Sequence, residues 1–70
     1  DFLRKLKTLH PNLSPSDLKL CAYLRLNLSS KELAQVQNIS IKSVEVKRYR
    51  LRKRLKLARK VNLVNYILEL

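Results

Sequence analysis

Apolar residues recur at spacings of three and four in five stretches of the chain, which predicts helices near residues 2–9, 15–26, 30–37, 41–55 and 61–69. In the first, Phe2, Leu3, Leu6 and Leu9 are separated by Arg4, Lys5 and Lys7, and His10 and Pro11 end the pattern. "LSPSDL" starts the second. Ser14 caps, Pro15 suits the first helical position, and Asp17 stands three residues after the cap. Leu18, Cys21, Ala22, Leu24 and Arg25 follow as mostly core-type residues, with Cys21 a small buried apolar residue rather than a nucleophile. Ser29 and Glu32 form an S-x-x-E capping box for a third, short helix through Leu33, Ala34 and Val36.

The breaks between helices are made without glycine. Asn27 and Asn38 are the residues that best tolerate the left-handed backbone a helix exit often needs. After Asn38, Ile39 is expected to plug into the core and Ser40 to cap a fourth helix. Two helices thus meet through a turn of three or four residues, which reads as a helix-turn-helix. On the fourth helix, Ile41, Val44, Leu51 and Leu55 form an apolar stripe. Lys42, Val46, Tyr49 and Lys53 fall on the opposite side, flanked by Glu45 and Arg50. Arg48 lands inside the stripe, so its stem is expected to pack while its guanidinium reaches out.

The last stretch, "VNLVNYILEL", is more apolar than one packing face uses. One side is expected to cover the domain and the other to meet a second subunit. Leu63, Val64 and Ile67 are the candidate dimer residues, with Ile67 or Leu63 expected to face outward.

Charge turns this helical pattern into a functional reading. The formal net charge is +11. From Lys42 to Lys60 the chain carries Lys47, Arg48, Arg50, Arg52, Lys53, Arg54, Lys56 and Arg59 as well, against Glu45 alone. Such a block looks for a polyanion, nucleic acid first and an anionic membrane surface second. A solvated face usually mixes signs; this outward face does not. The outward side of the second helix of such a motif is the side that enters a major groove.

Other classes are less well served. Cys21 and His10 are single, so neither a disulfide framework nor a Cys/His metal site is expected, and no cofactor is implied. Without glycine there is no phosphate-cradling loop, and no nucleophile, base and orienter recur together, so an enzyme is not expected. No apolar run approaches the ~20 residues of a membrane span and no signal peptide is visible. A cytoplasmic location without direct membrane contact is expected. A 70-residue chain is one domain with a modest core. No Met begins it and Asp1 leads straight into the apolar pattern, so an excised domain of a longer protein is expected. Residues 1–12 form its N-terminal helix or linker and residues 13–70 the domain proper.

The residues from Leu13 to about Leu70 resemble the DNA-binding domain of the LuxR/GerE family. "LSPSDL" resembles the family's L-T-P-R-E-L, "LSSKELAQVQNIS" its L-S-N-K-E-I-A-x-x-L-x-I-S, and "SVEVKRYRLRKRL" its T-V-E-V-H-R-x-x-I-R-x-K-L. The three occur in order and at the right spacing. Asn27 and Asn38 replace the usual glycines, Gln37 or Val36 the usual Leu, and Lys47 the usual His. The longer stretches "FLRKLKTLHPNLSPSDLKLCAYLRLNLSSKEL" and "RYRLRKRL" look like the C-terminal output domains of large bacterial sensor-regulators, whose parent proteins can be membrane-anchored.

The resemblance implies an all-α fold: a short N-terminal helix plus a four-helix LuxR-type helix-turn-helix bundle that binds double-stranded DNA, forms a homodimer through its last helix and controls transcription. Carried over by position, Lys42, Glu45, Val46, Tyr49 and Lys53 are base-reading candidates. Glu can accept from cytosine N4, Val can touch a thymine methyl, and Lys can donate to guanine. The alternative for Glu45 is an intrahelical pair with Arg48 or a favourable place near the helix start. Lys31, Ser43, Lys47 and Arg50 are phosphate candidates. Arg52, Arg54, Lys56, Arg59 and Lys60 taken singly are a solubilising surface. Two rivals remain: a module of the sigma-factor region-four type that touches RNA polymerase as well as promoter, and a basic RNA-binding domain. The RNA reading wants exposed aromatics, and Tyr49 is the only candidate on the basic face.

Overall fold

The computed structural model describes residues 1–70, and they form five helices and no strand: α1 (Phe2–Leu9), α2 (Pro15–Arg25), α3 (Ser30–Gln37), α4 (Ile41–Arg54) and α5 (Leu63–Glu69). Every helix starts at a side chain that accepts an otherwise free backbone N–H. Ser14, Ser29 and Ser40 accept from the amides of Asp17, Glu32 and Ser43. In the first two cases the acid also accepts from the cap residue's own amide, completing the capping box. Asp1 and Asn62 do the same for α1 and α5. The Asn62 cap is why α5 begins at Leu63 and not at Val61. Capping of this kind stabilises a helix by about 1 kcal/mol per site.

The exits use left-handed backbone at three non-glycine residues, Asn27 (φ 62°), Asn38 (φ 55°) and Lys56 (φ 57°). At Asn38 and Lys56 the closure is a full Schellman arrangement. The amides of Ile39 and Leu57 bond back to the carbonyls of Ala34 and Arg52. Asn27 and Asn38 are where the sequence pointed; Lys56 is a finding of the structure.

One core joins all five helices. Leu6 of α1, Leu20, Cys21 and Leu24 of α2, Leu33 and Ala34 of α3, Val44 and Leu51 of α4, Leu55 just after it, and Leu63 and Ile67 of α5 are buried together. Fully burying each large aliphatic side chain contributes about 1.5–3 kcal/mol before entropy is counted. α3 packs on α4 and α2 on α5. Cys21 is wholly buried, and burial, then the Asp17 charge, push its thiol up to about 12, so it stays protonated and acts as a packing residue.

Several expected core positions lie outside. Leu3 and Leu9 of α1 are exposed because Leu6, with half-buried Phe2 beside it, already fills the contact this short helix makes. Val36 is exposed, while Leu33 and Ala34 carry the α3 contact. Ile41 is 48% exposed: it is the first residue of α4, beyond the end of the contact that Val44 and Leu51 make. On α5 the two residues expected to face outward, Leu63 and Ile67, are in the core at 3% and 0% exposure. Val64 is half-buried and Leu68 exposed, so the outward edge runs through them. The apolar pattern of α5 was too dense to tell its faces apart.

Polar contacts fix the remaining joints. His10 Nε2 and the Tyr66 hydroxyl are hydrogen-bonded at 2.7 Å, joining the end of α1 to α5. Arg25 donates to the Ile67 carbonyl at 3.2 Å and lies over the Phe2 ring, 4.8 Å from its centre. Gln37 has its Oε1 buried without a hydrogen-bond partner. No helix is long and apolar enough to cross a membrane.

Candidate nucleic-acid interface

The site is the outward side of α4, and its geometry follows from how that helix is held. Val44, Leu51 and Leu55 anchor one side in the core. At the entry, Ser40 caps the helix, and its hydroxyl is also hydrogen-bonded to Ser43 Oγ at 2.9 Å. At the exit, Arg54 Nη1 donates to both carboxylate oxygens of Asp17 at 2.7 Å, tying the last turn of α4 to the first turn of α2. Burial opposes the Asp17 charge. The Ser14 amide, the Arg54 guanidinium and the Ser14 hydroxyl outweigh it, and the carboxyl is held below its ordinary value. Arg52 donates to the carbonyls of Ala58, Arg59 and Val61, stapling the connector to α5 onto the helix.

Held this way, α4 turns one continuous strip to solvent. Ile41, Lys42, Glu45, Val46 and Tyr49 line one shallow open groove along it. Lys42, Ser43, Val46, Lys47 and Arg50 line another on the adjoining flank. Tyr49, Arg52, Lys53, Leu57 and Arg59 line a third at the exit end. The base-reading candidates Lys42, Glu45, Val46, Tyr49 and Lys53 therefore share one face. The phosphate candidates Ser43, Lys47 and Arg50 are beside them, while Lys31 stands apart, exposed in the first turn of α3. Lys53 Nζ sits 4.9 Å from the centre of the Tyr49 ring, so this cation and this aromatic are arranged as a unit.

Glu45 is exposed and enters no ion pair; the single ion pair of the chain is Asp17–Arg54. The pairing with Arg48 weighed for it does not form. Arg48 itself is half-buried beside the core, as its place in the apolar stripe implied.

Two things escaped the sequence pattern. Ile41 belongs to the outward groove and not to the core; its place in the first helical turn, where a packing contact thins out, was the available signal. Arg52 and Arg54 are structural ties and not free surface charge. For Arg54 the partner is 37 residues away, which no local spacing announces. No group of three or more His, Cys, Asp or Glu side chains comes together that could hold a metal ion. The arrangement offers hydrogen-bond donors, one carboxylate acceptor and exposed methyl groups along one helix face. No protein-family model, curated protein or solved structure matches the chain.

Proposed function

We propose that this chain is a sequence-specific double-stranded DNA-binding module, the output domain of a bacterial transcriptional regulator, with α3 and α4 acting as a LuxR/GerE-type helix-turn-helix and α4 lying in the major groove. The observation that carries this reading is the exposed strip of α4. Lys42, Lys47 and Arg50 stand there with no partner in the chain, around Glu45, Val46 and Tyr49. Lys42, Lys47, Arg50, Lys53 and Lys31 meet phosphates or guanine edges, and Glu45 accepts from an exocyclic amine. No covalent step is involved. A dimer forms about α5 through Val64 and Leu68, which sets two copies of α4 in successive major grooves roughly 34 Å apart.

A single exposed aromatic, its face already covered by Lys53, is a poor stacking platform, which favours duplex over single-stranded RNA. Selection of binding sites from random duplex DNA tests the proposal. The expected result is an enriched inverted repeat with half-sites about one turn apart, bound in preference to RNA of any sequence. A pool that stays random, or equal binding to single-stranded RNA, overturns it.

A further inference from the structure

The strip on α4 is not uniformly polar. Ile41 is 48% exposed, Val46 39% and Tyr49 58%, and the three share one groove with Lys42 and Glu45. An apolar side chain left in water beside a row of cations gains nothing in the free protein. Ile41 and Val46 are both in the first half of α4, the half of a recognition helix whose side chains reach base edges. In the major groove the one apolar group that a natural base presents is the C5 methyl of a pyrimidine. The cations flanking the groove, Lys42, Lys47 and Arg50, favour a polyanion as its occupant.

We infer that Ile41 is a specificity-determining residue that, together with Val46, reads the C5 methyl groups of thymines in the half-site, while Glu45 between them takes the exocyclic amine of a neighbouring cytosine or adenine. The inference rests on the DNA-binding reading above and goes beyond it, because it assigns a base chemistry to a residue placed outside the reading set by sequence. Burying one methyl group against Ile41 raises affinity about fourfold, since about 0.8 kcal/mol attends each buried methylene-sized group.

The test uses the duplex selected above, with each thymine of one half-site replaced in turn by deoxyuridine, which deletes only the methyl. Wild-type chain should lose about fourfold at one or two positions. Ile41→Ala should bind the thymine duplex about fourfold more weakly than wild type and be indifferent to deoxyuridine at one of those positions. Val46→Ala should be indifferent at a neighbouring one. Both residues are exposed, so circular dichroism should report an unchanged fold. Wild type blind to every deoxyuridine overturns the inference and leaves the DNA-binding reading standing. Ile41→Ala that keeps the full deoxyuridine penalty removes Ile41 from the readers. A further arm places cytosine and 5-methylcytosine in turn at each thymine position of the half-site. A gain confined to 5-methylcytosine, with thymine and uracil bound alike, overturns the assignment to thymine. Failure to select any duplex is the failure of the underlying reading.

Discussion

Along α4 ahead of its last turn, Lys42, Lys47 and Arg50 point to solvent and find no acceptor in the chain. In its last turn Arg52 and Arg54 bend back, one onto three connector carbonyls and the other onto Asp17. The two sets are adjacent in sequence and similar in chemistry, and their employment differs because of what lies within reach. Near the helix exit the connector turns back over α4, and the start of α2 brings a nearly buried carboxylate alongside. Ahead of that turn Lys42, Lys47 and Arg50 stay exposed with no hydrogen-bond or ion-pair partner. A basic block is therefore not one feature. Part of it holds the helix, and the other part is what the helix holds out.

The largest effect expected of the exposed cations is on affinity. If a dimer neutralises roughly eight phosphates, binding should fall about 10⁴-fold between 50 and 200 mM salt. Lys47→Ala combined with Arg50→Ala removes two phosphate contacts from each subunit of the dimer and should lower the slope of log K against log salt by about 4, with specificity retained. Arg52→Ala should leave that slope nearly unchanged. Equal slopes for the two variants, measured by fluorescence anisotropy, would erase the division of the helix into free and committed cations.

Next in size is assembly at α5. Leu68→Asp should preserve the fold and lower cooperative binding to a duplex with two half-sites by about 10²-fold, the lower range of an avidity gain. Binding to a single half-site should not change. If one and two half-sites are bound as in wild type, the dimer reading fails. Ile67→Asp is the contrasting variant: it places a charge in the core and should not fold.

How much of this was legible in sequence follows from the range of each interaction. Ser14, Ser29 and Ser40 could be named as helix starts because a cap and its target amide lie three residues apart. The face of α4 that carries Lys42, Val46, Tyr49 and Lys53 was legible because Val44, Leu51 and Leu55 define its opposite. α5 was not, since apolar residues surround it and only the position of α2 decides that Leu63 and Ile67 go inward. The Asp17–Arg54 pair was hidden for a different reason. Asp17 had a sufficient local role as a capping acid, and a second partner from α4 has no signature in spacing.

That pair gives a smaller, pH-dependent effect on stability. The Asp17 carboxyl is held below its ordinary value of 3.8, so in acid the unfolded chain binds more protons than the folded one. The stability it supplies is complete above the unfolded value and is lost as pH falls through the folded one. Thermal melts of Asp17→Asn should accordingly show a flatter decline below about pH 4 than wild type. Arg54→Ala, which leaves a nearly buried carboxylate without its guanidinium, should cost about 1–2 kcal/mol at neutral pH, discounted because the Arg54 side chain is 47% exposed. An acid limb identical in wild type and Asp17→Asn would remove Asp17 as its source; Glu32, shifted the same way by the Ser29 amide, would then be the one to replace.

The smallest effect contrasts the two left-handed residues that bracket α4. Asn38 before it and Lys56 after it have nearly the same backbone, φ 55° and 57°, and nearly the same Schellman bonds. Their side chains differ in suitability. Asn enters this region at little cost, whereas a residue such as Lys is disfavoured there by roughly 1–2 kcal/mol, and glycine is not. Part of what glycine relieves in the folded chain is returned as extra freedom in the unfolded one. Lys56→Gly should therefore stabilise by about 0.5–1 kcal/mol, a rise in Tm of about 2–8 °C for a domain of this size. Asn38→Gly should change stability by no more than a few tenths of a kcal/mol. Because Lys56 lies beyond the exposed strip, its loss should leave the salt slope unaltered. A stabilised Lys56→Gly whose slope falls by about 2, one contact per subunit of the dimer, would move Lys56 from the closing of the helix to the contacting of phosphate, and extend the free cations past the end of α4.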